Sequence, residues 1–134
     1  LRYQAPLAVF ALDLDHFAEL NERFGTACGD LALRTLADIT RGLLRGSDVL
    51  VRSGDDLFHV IAPHTNAAEC LAMAEKIRSA VAGAEFPGCD HVTVSIGVAQ
   101  LMPQESGDQL MLRANAALAR AKRDGRNLVE LARS

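Results

Sequence analysis

Two short acidic stretches carry the side chains best suited to chemistry. Asp13-Leu14-Asp15 closes an apolar run, and Gly54-Asp55-Asp56 interrupts the apolar stretch Val49–Ala62, VLVRSGDDLFHVIA. Carboxylates from two strands meeting at one sheet edge would suit Mg²⁺. That ion takes one or two carboxylates and leaves room for substrate phosphates. In nucleoside triphosphate chemistry such a site activates a hydroxyl and neutralises the leaving pyrophosphate. The spacing fits a plainer arrangement equally well. One aspartate can face a metal while Asp15 caps a helix, or both can simply be strand-end and cap residues, and a polar turn needs no function at all.

The elements that must position these groups follow from periodicity. PLAVFALD, residues 6–13, is a compact apolar run and predicts a buried strand. Phe17, Leu20 and Phe24 then recur at helical spacing, with Asp15 placed as their N-cap and Gly25 as their break. A second helix is expected from about Cys28 to Arg45, with Leu33, Leu36, Ala37, Leu43 and Leu44 among its apolar positions and Gly46 at C′. The stretch Val49–Ala62 predicts a hairpin, with Gly54-Asp55 suited to a tight two-residue turn, and Pro63 closes its second strand. Asn66 and Glu69 form a capping box before a helix that carries Cys70, Ala74, Ile77 and Val81 on one face. A loop over Gly83–Asp90 leads to a β-branched, alternating run, His91–Leu101. Ser106 and Gln109 make a second capping box. Leu110, Ala114, Ala117 and Ala121 give the following helix a small-residue face, Lys122 and Arg123 complement its C-terminal dipole, and Gly125 ends it. Asn127–Leu131 is a short last strand. The order β-α-α-β-β-α-β-α-β predicts an α/β (α+β) domain with a mixed sheet of about five strands flanked by helices.

Composition bounds the alternatives. The chain has 134 residues, enough for one domain core and too few for two. Its net charge of −3 and pI near 5.8 give no support for binding nucleic acid or a membrane surface. No apolar run is long enough to cross a membrane, and no signal peptide is evident. Cys28, Cys70 and Cys89 are odd in number and widely spaced, which fits reduced thiols in a cytoplasmic protein better than a disulfide framework. His16 and His59 lack metal-ligand spacing and read as surface or half-buried residues, and His64 and His91 carry no functional expectation. A start on Leu1 suggests a domain excised from a larger protein.

The segment LDLDHFAELNERFGTACGDLAL resembles the pattern DxDxFKxxND-x-x-G-H-x-x-G-D of the diguanylate cyclase (GGDEF) domain family. VTVSIGVA, AEKIR and ANAALARAKRDGRN match further family segments, so the resemblance runs over nearly the whole chain in the right order. It implies a nucleotidyl-cyclase or polymerase-palm-like sheet, and cyclic di-GMP made from two GTP by two facing domains. It further implies that Asp13, with the Leu14 carbonyl, binds metal and that Asn21 and Asp30 hydrogen-bond guanine. Lys122 and Arg126 would hold the triphosphate. Arg45-Gly46-Ser47-Asp48 matches RxxD, the family's inhibitory product site, and Lys76 lies near a third basic group of that site. Arg45 and Asp48 also fit a plain helix-end and turn role.

Anchoring on Arg52, Phe58 and Pro63 aligns the signature with Gly54-Asp55-Asp56-Leu57-Phe58. Asp55 replaces a glycine and adds a Cβ and a negative charge where an anionic nucleotide would lie. Leu57 replaces a carboxylate and cannot ligate Mg²⁺. Ala18 and Thr26 stand where the pattern has a basic residue and a histidine. The expectation is a degenerate, non-catalytic domain with at most a weak Mg²⁺ site at Asp13 and Asp56. It would bind cyclic di-GMP or, weakly, GTP, next to sensory or EAL domains and in a possible homodimer. A working diguanylate cyclase and a pure protein-interaction domain are the alternatives.

Overall fold

In the computed structural model, which describes residues 5–89 and 91–133, the expected element order is present. The strands are β1 Leu7–Leu14, β2 Val49–Arg52, β3 Leu57–Pro63, β4 Val94–Gln100 and β5 Val129–Leu131. The helices are α1 Phe17–Phe24, α2 Thr26–Leu43, α3 Ala67–Gly83 and α4 Gly107–Arg123. The strands form one mixed sheet in the order β2-β3-β1-β4-β5, antiparallel throughout except for the β4–β5 pair.

Alternation along β1 divides the molecule. Ala8, Phe10, Leu12 and Leu14 face the larger core, where they meet Leu33 and Leu36 of α2 and Ala74, Ile77 and Val81 of α3. Val9 and Ala11 face the opposite way, onto Leu110, Ala114 and Leu118 of α4. Gly97 of β4 lets α4 approach this closely. A Cβ there would lie 2.2 Å from the Leu118 nitrogen and 2.3 Å from the Ala114 carbonyl oxygen. Both expected capping boxes, Asn66–Glu69 and Ser106–Gln109, are fully formed at the starts of α3 and α4.

Several local expectations are corrected. Helix α2 begins two residues early, at Thr26, and ends at Leu43 with Leu44 as C-cap, so Gly46 lies in the following turn rather than at C′. Strand β4 begins at Val94, three residues after His91. Asp90 lies outside the described residues. Cys28 and Cys89 are joined in a disulfide, with Cα atoms 6.0 Å apart, instead of standing as separate thiols. Their separation of 61 residues hid the pairing, because spacing says nothing about which distant loops the fold brings together. Cys70 is free and buried.

Candidate functional site

The two acidic stretches meet at one end of the sheet. Asp13 pairs across the ladders with Leu57 of β3 and with Ser95 of β4. Its side chain lies on the α4 face, where the Lys122 ammonium comes to 2.5 Å from Oδ1. Burial pushes the Asp13 carboxyl up to about 6. Lys122 opposes the shift, and the charges of Asp56 and Asp15 add to it. Because Asp13 pairs with Leu57, Asp56 immediately precedes the residue opposite Asp13 on the neighbouring strand.

Asp15 does something else. The expected helix cap is instead His16, in left-handed conformation (φ 57°) and without a side-chain cap bond. Asp15 is turned inward, almost fully buried, and accepts from Thr93 Oγ1 at 2.6 Å, Ser95 Oγ at 2.6 Å and the Asn127 backbone NH at 3.0 Å. Three donors satisfy it, so it ties β1 to β4 and to the entry of β5. Lys122 stands 4.0 Å from its Oδ1, so the two aspartates share one side, with Asp13 at the surface end.

The turn is wider than two residues. Ser53 to Asp56 lie between the strands, and the Ser53 and Gly54 NH groups both donate to the Leu57 carbonyl, at 2.8 and 3.2 Å. Neither Gly54 nor Asp55 takes a positive φ. The Arg52 guanidinium holds the loop by donating to the carbonyls of Gly54 at 3.1 Å and Asp55 at 2.5 Å. Leu57 packs against the apolar cluster beneath α4, while Phe58 is buried on the other face. Below the turn lies an array that the sequence reading missed. His59 is 3% exposed, with Nδ1 2.6 Å from Ser53 Oγ and Nε2 2.7 Å from Asn115 Oδ1. An amide oxygen only accepts, so Nε2 donates to Asn115, while Nδ1 bonds with the Ser53 hydroxyl. The turn is thereby bonded through β3 to α4. A polar residue at a core-facing strand position was the available signal.

Asn21 of α1 and Asp30 of α2 lie on the two helices of the α1–α2 corner. Asn21 packs on Gly29, where a Cβ would fall 1.7 Å from Asn21 Oδ1, so any larger residue there would displace the Asn21 side chain. That Oδ1 is buried and has no hydrogen-bond partner among the described residues. Asp30 follows Gly29 and lines a cavity of about 610 Å³ with Leu33, Arg34, Arg52 and Phe58. Lys122 is the residue paired with Asp13. Arg126 is exposed one turn beyond, in left-handed conformation (φ 63°).

Arg45 and Asp48 face each other. The Arg45 backbone NH and Nε donate to Asp48 Oδ2 at 2.8 and 3.2 Å, and its Nη2 donates to Oδ1 at 2.9 Å. The same Nη2 reaches the Pro63 carbonyl at 3.0 Å and Thr65 Oγ1. Burial pulls the Asp48 carboxyl upward, but the Arg45 bonds outweigh it and hold the group below its usual range. The pair therefore ties the α2–β2 turn to the end of β3. Lys76 is exposed on α3, and no hydrogen bond or ion pair joins it to Arg45 or Asp48 among the described residues.

The donor set limits what metal the edge can hold. Among the described residues no group of three or more His, Cys, Asp or Glu side chains is assembled for a metal ion. Asp13 and Asp56 supply two carboxylates, and Lys122 sits on one of them. That set suits one hard cation completed by other oxygen ligands.

A mixed sheet with α4 alone on one face, and an acidic edge where β1 meets the β2–β3 turn, defines an α+β domain with a charged corner. The family model described as the diguanylate cyclase, GGDEF domain matches residues 1–128, and the chain belongs to that family. Diguanylate cyclase DgcM of Escherichia coli K12 is 38% identical over 122 residues, covering 91% of this chain and 30% of that protein. Diguanylate cyclase DgcP of Pseudomonas aeruginosa is 35% identical over 129 residues, covering 94% of this chain and 19% of that protein. The chain thus spans less than a third of these curated relatives. Among solved structures, the active GGEEF domain of a diguanylate cyclase from Vibrio cholerae superposes with a TM-score of 0.91 at 28% identity, over 97% of this chain and 85% of that one. The GGDEF domain of DgcB from Caulobacter crescentus, in complex with c-di-GMP, gives 0.90 at 32% identity, over 96% and 79%.

Proposed function

We propose that this chain is a regulatory domain of a cyclic di-GMP signalling protein, and that it binds guanine nucleotide without cyclising it. One observation carries the reading: at the signature's acidic position stands Leu57, with its side chain packed into the apolar cluster under α4. Asp55 supports it by placing a negative charge on the exposed turn. Asp13, Asp56 and the Leu14 carbonyl make a single, weak Mg²⁺ site, whose ion would neutralise phosphate charge. Lys122 must release Asp13 for that site to fill.

Asn21 and Asp30 offer guanine an amide oxygen and a carboxylate. Asn21 Oδ1 is buried with no hydrogen-bond partner among the described residues, so the α1–α2 corner must open for it to accept from guanine. Lys122 and Arg126 hold the phosphates. Arg45 and Asp48, with Lys76 at the margin, form the cyclic di-GMP site. Ligand binding there exchanges the internal Arg45–Asp48 bonds for bidentate contacts to guanine or phosphate. The domain acts in the cytoplasm as a single unit of a larger protein with sensory or EAL neighbours, alone or as a homodimer.

A second reading, a slow diguanylate cyclase, draws on the intact grouping of Asp13, Asp56 and Lys122. Calorimetric titration with cyclic di-GMP tests the regulatory site. Wild type is expected to bind and Arg45→Ala to lose binding while remaining folded by circular dichroism. Binding that survives Arg45→Ala removes the RxxD assignment. An absence of binding to both cyclic di-GMP and GTP leaves a protein-interaction domain.

A further inference from the structure

We propose that the Cys28–Cys89 disulfide is a redox-modification site that sets the order of the α1–α2 corner and, through it, the affinity for guanine nucleotide. The nucleotide clause rests on the reading of Asn21 and Asp30 given above.

Three placements carry it. Cys28 lies in the first turn of α2, immediately before Gly29, on which Asn21 packs, and Asp30. The bond fastens that turn to the loop after α3, where Phe86 and Val92 are buried in the main core. The α1–α2 corner is therefore anchored to a segment that the core itself holds. The third placement is access. Cys89 lines an open cavity of about 560 Å³ with Phe86, Pro87, Gly88 and His91, whereas Cys28 is only 8% exposed. A reductant meets the Cys89 sulfur.

The exchange needs an external dithiol, either a small molecule or a protein. Its thiolate attacks Cys89 Sγ, and the Cys28 sulfur leaves and takes up a proton. The second thiol of the dithiol then displaces Cys89, which is protonated in turn. The products are two protein thiols and the oxidised dithiol, a two-electron, two-proton transfer. Cys70 cannot stand in as the attacking group. It is buried at 0% exposure, and burial pushes its thiol up to about 12, so the thiolate is scarce at neutral pH.

The test compares wild-type protein, oxidised in air or reduced with dithiothreitol, with Cys89→Ser as a second route to the open form. Alkylation of the denatured, unreduced protein is expected to label Cys70 alone, and after reduction all three cysteines. Labelling of all three without reduction overturns the proposal. Amide hydrogen exchange over residues 27–33 is expected to accelerate at least about tenfold on reduction, because opening there becomes local. Unchanged exchange overturns it. Calorimetry with GTP is expected to show about tenfold weaker binding by reduced protein. Equal affinity in both states, where Asp30→Ala weakens binding, overturns the nucleotide clause. If Asp30→Ala has no effect, the nucleotide-site reading fails, and exchange alone decides the redox site.

Discussion

Asp13 offers a quantitative test of the electrostatics at the acidic edge. Its carboxyl rises from 3.8 to about 6 in the folded protein. At about 1.36 kcal/mol per pKa unit, that corresponds to roughly 3 kcal/mol favouring the protonated form. The side chain keeps 14% of its exposure and contacts Lys122, so we take about 2 kcal/mol as the expected effect after solvent screening. The sign follows from proton binding. Between pH 3.8 and about 6 the folded protein holds a proton on Asp13 that the unfolded chain has released. Stability from this group is complete at low pH and is lost as pH rises through 6. Asp48, Glu75 and Glu105 are held low and act in the opposite sense, but they are common to wild type and variant and cancel in the difference. Urea unfolding of wild type and Asp13→Asn from pH 4 to pH 7.5 is the assay. The variant is expected to gain about 2 kcal/mol on wild type across that range, most of it between pH 4 and 6.5. Parallel stability profiles would refute the reasoning. So would a variant that loses ground as pH rises, which would mean that the Lys122 pair outweighs burial.

Gly97→Ala sets a Cβ against the α4 backbone and is expected to cost about 3 kcal/mol or more in thermal or urea unfolding, unlike the same change at the open position Gly42. Asp15→Ala strands three donors in the interior and is expected to cost roughly 3 kcal/mol, whereas Asp38→Ala on the surface should change stability by under about 0.5 kcal/mol. Asn115→Leu leaves His59 Nε2 without its acceptor, with an expected loss of about 2 kcal/mol. Combining it with His59→Leu is expected to recover part of that loss in a double-mutant cycle.

The fold was legible wherever it is written locally. The capping boxes at Asn66 and Ser106 have both partners within three residues, and the alternation of β1 appears in the residues themselves. The sequence allowed Asp13 to approach the acidic turn only if the first strand neighboured the hairpin, and the sheet order makes β1 that neighbour. Other features depend on residues far apart in the chain. Asp15 could pass for a helix cap because its partners are 78, 80 and 112 residues away. His59 could be read only as a surface or half-buried histidine because Asn115 lies 56 residues further on. The internal commitment of Arg45 to Pro63 and Thr65 was hidden for the same reason. The turn differed in kind: Gly54-Asp55 allowed a two-residue hairpin, but Arg52 and two NH groups on one carbonyl hold a wider loop.

The central claim is that the signature turn survives as structure without its chemistry. The most direct measurement is incubation of the purified chain with GTP and Mg²⁺, with cyclic di-GMP followed by chromatography beside Asp13→Asn. The account predicts no product above that of the variant. Mg²⁺-dependent formation of cyclic di-GMP that Asp13→Asn abolishes would contradict it.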